Sequence, residues 1–391
     1  MINESCLALE IPQAAYIHIP FCRRRCYYCD FPISVVGVKA LPDESEMIRE
    51  YVEAIGKEIN FLDVGDKPLT TVFFGGGTPS LLSIYNLEYI LTKLNQKLGI
   101  AQGAEISLEI DPGTFDLAKL QAYQELGINR LSLGVQGFQA KLLETCGRSH
   151  NLEDVVEAIA LIQNIGTFNF SLDLISGLPN QTLADWEESL TKAIAANPDH
   201  LSCYDLVLEP VTVFGKRYQP GEQPLPTDTT TAAMYKLAQQ MLTTAGYQHY
   251  EISNYAKPGY QCRHNRVYWE NRPYYAFGMG AASYVNGVRF TRPRTRREYY
   301  NWLESNCPME SEPLRESDRV LETLMLGLRL TEGVKLSSFS NPIREIILET
   351  VSPYLEKGWV EIVDQRMRLQ DPEGLLFSNT ILASLFARLD Y

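Results

Sequence analysis

Positive charge is in short supply in this 391-residue chain. Lys and Arg number 35 against 48 Asp and Glu, a formal charge of −13. An acidic chain of this kind is poorly suited to general nucleic-acid or anionic-membrane binding. Long apolar runs are missing as well, and none approaches the roughly 18 residues of a membrane-spanning helix. The opening segment MINESCLALEIPQ has neither a basic start nor a long apolar stretch. The expectation is therefore no secretory signal and a cytoplasmic location. Glycine and proline, at 26 and 21 residues, are too ordinary for a fibrous or low-complexity chain. A disulfide framework is excluded too, since it would spread cysteine pairs along a short secreted chain. Here five cysteines are scattered (Cys6, Cys146, Cys203, Cys262, Cys307) and three, Cys22, Cys26 and Cys29, fall within eight residues. Clustered thiols in a long chain point to metal chemistry.

What is present is a repeated β–α pattern. Strand-like runs at 14–21, 69–76, 105–112, 130–137, 169–177 and 200–208 alternate with amphipathic stretches such as EMIREYVEAIGKEINFL and LEDVVEAIALIQNIG. Six such units in a row require a parallel sheet with helices outside it. Polar or special residues recur at the strand ends: the cysteines, GGGTP, Glu109 with Asp111, Gln136 and Asp173. Groups gathered from many strand ends indicate a barrel, whose loops share one mouth, rather than a doubly wound sheet. The expected fold is α/β, an open partial (β/α)6 barrel over residues 1–246. Residues 247–254 read as one more strand, and 255–300 as loop-like, aromatic and locally basic, within a connecting region 247–315. Helices and a short hairpin at 316–391 predict a C-terminal α+β, winged-helix-like domain.

CRRRCYYC places the thiols at C-x3-C-x2-C directly after the first strand. An ordinary iron–sulfur cluster takes four thiolates, so three leave one iron open to a further ligand. His18, four residues before Cys22, keeps a Cys3His zinc site formally open, although Tyr16 and His18 share one strand face with the cysteines beyond it. The setting on a βα barrel favours the cluster. GGGTP lacks the GK[ST] of a phosphate loop, so triphosphate binding is not expected.

These features resemble the radical S-adenosylmethionine (SAM) superfamily. YIHIPFCRRRCYYC, FFGGGTPS, EIDPGTF, SLGVQGF and DLISGLPNQT, in that order, resemble the anaerobic coproporphyrinogen III oxidase group, which includes the HemW heme chaperones. The resemblance implies a [4Fe–4S] cluster on Cys22, Cys26 and Cys29. SAM would chelate the open iron and be cleaved by an electron from the cluster to a 5′-deoxyadenosyl radical. It further implies SAM contacts at Tyr16, Tyr28, Gly76, Gly77, Thr78 and Glu109, and at Gln136, Arg148 and Asp173, the positions that hold a second SAM in the oxidase. Taken singly, each of these residues is more ordinarily a core, turn or ion-pair position.

Two departures separate the chain from the oxidase. The oxidase has a fourth cysteine two residues after the third, where this chain has Phe31, and only 21 residues precede Cys22. Both resemble the heme chaperones and put coproporphyrinogen decarboxylation in doubt. HNRVYW (264–269) resembles the chaperones' HNxxYW motif, which implies His264 as a heme ligand. Seven of the 22 tyrosines lie between Tyr247 and Tyr275, beside Arg263, Arg266 and Arg272, as a porphyrin face and its propionates would require; an aromatic packing layer is the plainer alternative. Cys262 is a weaker heme-ligand candidate. Arg23–Arg25 and the run Arg289, Arg292, Arg294, Arg296 and Arg297 are solvated faces, or docking sites for heme carboxylates or an acidic electron donor such as a flavodoxin or ferredoxin. The expected function is heme binding and transfer to an acceptor protein, with oxygen-independent coproporphyrinogen III oxidation as the alternative.

Overall fold

A computed structural model describes residues 10–37, 45–62, 67–309 and 315–389. Cys6 and the opening segment 1–9 lie outside them. Six strands follow the β–α pattern of the sequence: β1 (Ala14–Ile19), β2 (Leu69–Gly76), β3 (Ile100–Ile110), β4 (Arg130–Gln136), β5 (Asn169–Ser176) and β6 (His200–Asp205). They pair in chain order and all in parallel.

Period two divides each strand between two environments. Ile17, Val72, Phe74, Leu108, Leu131, Leu133, Leu172 and Leu201 are wholly buried against the surrounding helices. Helix Glu46–Phe61 contributes Ile48, Tyr51, Ile55 and Ile59 to that layer, and helix Ile84–Leu98 contributes Leu87, Ile90 and Leu94. Each such side chain taken out of water stabilises the fold by about 1.5–3 kcal/mol. The alternate residues, among them Tyr16, Ser107, Glu109, Arg130, Ser132, Ser171, Asp173 and Ser202, line a chamber inside the barrel. Helices Leu152–Ile165 and Leu183–Ala195 open on complete capping boxes, Asn151 with Asp154 and Thr182 with Asp185.

The region after β6 departs from the sequence reading. The expected single strand at 247–254 is a tight antiparallel pair, Gln248–Glu251 with Asn254–Ala256, and the latter strand extends the sheet beyond β6. Residues 255–300, expected to be loop-like, hold helix Arg263–Trp269, strand Tyr275–Phe277, hairpin Ala282–Val285/Val288–Thr291 and the start of helix Arg296–Glu304. Tyr275–Phe277 lies parallel to β1 and forms the other sheet edge. Both edges of the six-stranded core are thereby covered. Among residues 316–389, helices Glu316–Gly327, Asn341–Glu356 and Ser378–Leu389 pack with a three-stranded antiparallel sheet around their own core of Leu324, Ile347, Val351, Met367, Ile381 and Leu385. Among the described residues no helix is long and apolar enough to cross a membrane.

One buried carboxylate ties the late segment to the barrel. Glu58 accepts from the Gly278 amide (2.8 Å), the Tyr299 hydroxyl (2.6 Å) and Arg292 Nε (2.8 Å). Arg292, expected on a solvated face, is instead as deeply buried as Glu58. Removing one partner strands a buried charge, so Glu58→Ala is expected to cost about 3–5 kcal/mol in urea denaturation. A cost below about 1 kcal/mol, the scale of an exposed pair, would contradict this reading of the contact.

Candidate functional site

The cysteine loop leaves β1 at the mouth of the barrel and is pinned by its backbone. Ser34 N–H bonds to Pro20 O, Val36 N–H to Cys22 O, and Tyr27 N–H to Cys146 O at 3.0 Å. Arg25 folds back onto the Cys29 and Phe31 carbonyls, and Arg294 reaches the Asp30 carbonyl. Part of both arginine runs therefore braces the loop. Cys22, Cys26 and Cys29 are free and partly buried. All three line a cavity of about 460 Å³ together with Tyr28, Gly76, Gly77, Thr78, Glu109, Gln136, Arg148 and Asp173. That volume is within the usual range for small-molecule sites.

The glycine turn after β2 is required by contact as well as by conformation. Gly76 has φ +113°, and a Cβ there would meet the His18 ring at 2.5 Å. Its amide donates to Glu109 Oε2 at 2.9 Å. Burial nonetheless pushes the Glu109 carboxyl up from 4.5 to about 8, with Asp173 and Asp111 adding to the rise. Arg148 forms a partly buried pair with Asp111 (2.6 Å) and also bonds to the Gly134 carbonyl, Tyr28 OH (3.3 Å) and Cys26 Sγ (3.4 Å). Thr78 Oγ1 donates to Asp111 Oδ2 and sits 3.8 Å from Cys22 Sγ. Gln136 holds a left-handed φ of 69° beside a register shift in β4. Such strain persists where the surroundings fix it, commonly at ligand sites.

The donor set suits a cluster better than a single ion. Among the described residues no three His, Cys, Asp or Glu side chains converge as ligands of one metal ion do. Three thiols lining one cavity match a cluster, in which each thiolate binds its own iron. The Cys3His zinc alternative fails on His18, whose ring nitrogens bond to Tyr16 OH (3.1 Å) and the Pro32 carbonyl (2.9 Å). Burial raises the free Cys22 thiol to about 12, so metal binding there must displace a proton.

Two expected site residues lie elsewhere. Tyr16 faces the adjoining chamber, about 180 Å³, which shares Glu109, Ser132 and Asp173 with the main cavity. His264 is 0% exposed, with Nδ1 2.8 Å from Thr71 Oγ1, Nε2 2.8 Å from Tyr268 OH and its ring stacked on Phe73. In this structure His264 is a buried, hydrogen-bonded residue. Most of the tyrosines from Tyr247 to Tyr275 are likewise buried, as an aromatic packing layer. Arg266 pairs with Glu270 and Glu332, and Arg289 with Glu322. Cys262 is buried with its thiol 3.7 Å from Glu105. Sequence reasoning placed Asp111 at a strand end without giving it a site role, and left out Ser132 and Tyr204. Asp111 was within reach, since it shares a strand face with Glu109.

Barrel, cysteine loop and glycine turn together define a radical SAM protein. The Radical SAM superfamily profile matches residues 16–193, and that of the HemN C-terminal domain residues 314–377. The solved structure described as coproporphyrinogen III oxidase (HemN) from Escherichia coli is similar at a TM-score of 0.80 and 22% identity, over 96% of this chain and 90% of that one. The chain is 52% identical to the heme chaperone HemW of Synechocystis sp. over 97% of its own length and 98% of the relative's. It is 33% identical to the heme chaperone HemW of Escherichia coli over 96% and 98%. The chain belongs to the HemW heme chaperone family. Its superfamily implies a [4Fe–4S] cluster and SAM.

The raised Glu109 carboxyl gives the site a pH signature. Between about pH 4.5 and about 8 the native protein binds more protons at Glu109 than the unfolded chain does. Stability therefore falls as pH rises through that window. Denaturation of the SAM-free protein at about pH 5 and about pH 8.5 is expected to show a decline that Glu109→Gln reduces. An equal decline in the variant would contradict the assignment.

Proposed function

We propose that the protein binds heme at the mouth of its barrel and transfers it to acceptor proteins, while carrying a [4Fe–4S] cluster and SAM beneath. Phe31 is the observation that carries this reading. It occupies the position of the oxidase's fourth cysteine, lines the cavity and is 53% exposed. Tyr204 and Val207, 43% and 64% exposed, line the same cavity with Arg23 and Arg24. A flat apolar macrocycle with two propionates complements such a rim, through aromatic contact on its face and guanidinium pairing at its edge. The names carried by the relatives support the same reading.

Under this reading Cys22, Cys26 and Cys29 hold the cluster, and Arg148 places a positive charge beside Cys26. When bound, the cluster supplies an iron open to the amino and carboxylate groups of SAM. Gly76, Gly77 and Thr78 border the methionine end through their backbone. Glu109 stands ready for a ribose hydroxyl or an ammonium, and Tyr16 backs it from the chamber. Tyr28, Gln136, Arg148 and Asp173 complete the polar wall. A flavodoxin or ferredoxin would meet the arginines of the cluster loop. Heme ligation by His264 would require its ring to leave a fully buried seat and two hydrogen bonds, so heme is placed at the mouth instead.

Hemin titration separates the two locations. The double variant Phe31→Asp/Val207→Asp is expected to bind hemin at least about tenfold more weakly. His264→Ala is expected to keep the hemin spectrum and to lose about 1–3 kcal/mol of stability, because it leaves buried hydroxyls unpaired. A folded His264→Ala protein with an altered hemin spectrum would contradict the mouth site. Protoporphyrinogen formed from coproporphyrinogen, SAM and reductant without oxygen would overturn the chaperone reading.

A further inference from the structure

Asp173 reaches the floor of the cavity from β5, and hydroxyls from three strands surround its carboxylate. Ser132 on β4 donates to Oδ2 at 2.8 Å, and Ser171 lies 3.4 Å from Oδ1. Ser202, its partner across the sheet on β6, bonds to it as well. The other charged or titratable groups around it are Arg130 on β4, Glu109 on β3, and His200, Cys203 and Tyr204 on β6.

Behind Ser171 the hydrogen bonds continue away from the cavity. Ser171 Oγ lies 2.8 Å from His200 Nδ1, and His200 Nε2 lies 2.8 Å from the Tyr250 hydroxyl. The Tyr250 hydroxyl in turn stands beside the backbone of Cys262, the N-cap of the HNRVYW helix. Ser171, His200, Tyr250 and Cys262 are all buried. One polarity uses each proton once. An ionised Asp173 only accepts, so the Ser171 proton turns to it, leaving the Ser171 oxygen to accept from His200 Nδ1–H. Nε2 then accepts the Tyr250 proton, and the Tyr250 oxygen is left to face the Cys262 amide. In the reverse polarity the Tyr250 proton has no acceptor among the described residues. Burial, with Arg130 nearby, keeps His200 neutral, as the first polarity requires.

We propose that this Cys262–Tyr250–His200–Ser171 chain aligns its donors on Asp173 and fixes the charge and orientation that the carboxylate presents to SAM, coupling the HNRVYW helix to the cofactor wall. His200 and Tyr250 are positioning residues that act through Ser171. The proposal rests on the reading that Asp173 faces SAM, and it assigns a role to two side chains outside the cofactor cavity itself.

Two measurements test it. The chain has five histidines, few enough for ¹⁵N-histidine spectra to resolve His200 without SAM. The expected result is a neutral Nδ1–H tautomer from about pH 5.5 to about 8.5; an Nε2–H tautomer overturns the proposal. In SAM titrations of the cluster-loaded protein, His200→Leu and Tyr250→Phe are expected to weaken binding about three- to tenfold near about pH 6.5. The loss should shrink toward about pH 8.5, because burial holds the Asp173 carboxyl above its ordinary value and it ionises more readily as pH rises. His200→Gln, which can both donate and accept, should bind like wild type. Equal losses at both pH values, or a loss in His200→Gln matching His200→Leu, would show a packing role and overturn the proposal. Wild-type protein that fails to bind SAM would contradict the cofactor reading, and the tautomer would still decide the polarity.

Discussion

A polar side chain turned into the interior of a parallel barrel has little water to bond to, so each needs a partner there. That requirement governs this protein. Six strands with an inner face of Ser, Asp, Glu, Arg and His make an interior that the apolar layer beneath the helices has to support. Most of those groups answer one another: Asp111 with Arg148 and Thr78, Glu109 with the Gly76 amide, Asp173 with three serines. What remains unpaired is telling. Among the described residues, Ser107 Oγ and one nitrogen of Arg130 line the chamber without a partner, and Arg148 Nε lacks one at the cavity. The interior is arranged to receive ligand atoms as well as to hold the strands.

The same constraint explains the position of the cysteine loop. Its backbone is fixed to β1, to the Cys146 carbonyl and, through Arg294, to the segment that follows Tyr275–Phe277. Three thiols are thereby set in the lining of a cavity that also carries Glu109, Gln136 and Asp173. Arg148 joins the loop to the strand ends, touching Cys26, Tyr28 and Asp111 at once. The loop supplies chemistry and the strand ends supply recognition.

Much of this was legible in the sequence. The run at 69–76 coincides with β2, because a buried parallel strand between clear helices leaves an unbroken signal. Eleven of the thirteen expected site residues line the main cavity, Tyr16 and His264 being the exceptions. The region after β6 was illegible for a physical reason. Strand Tyr275–Phe277 has three residues, and its partner β1 lies at the other end of the chain; so short an element carries no periodicity of its own. Arg292 read as a solvated residue until Glu58 closed around it, and the seat of His264 depends on Thr71, 193 residues away in sequence. A motif shows which residues occur together, whereas burial depends on partners far away in sequence.

The central claim is that Cys22, Cys26 and Cys29 hold a cluster whose remaining iron is open to SAM. Anaerobic reconstitution followed by iron, sulfide and zinc analysis, with electron paramagnetic resonance of the reduced protein, tests it most directly. The expected result is iron and inorganic sulfide in the one-to-one ratio of a [4Fe–4S] centre, with a signal that shifts when SAM is added. Stoichiometric zinc without sulfide, or a cluster signal indifferent to SAM, would contradict it.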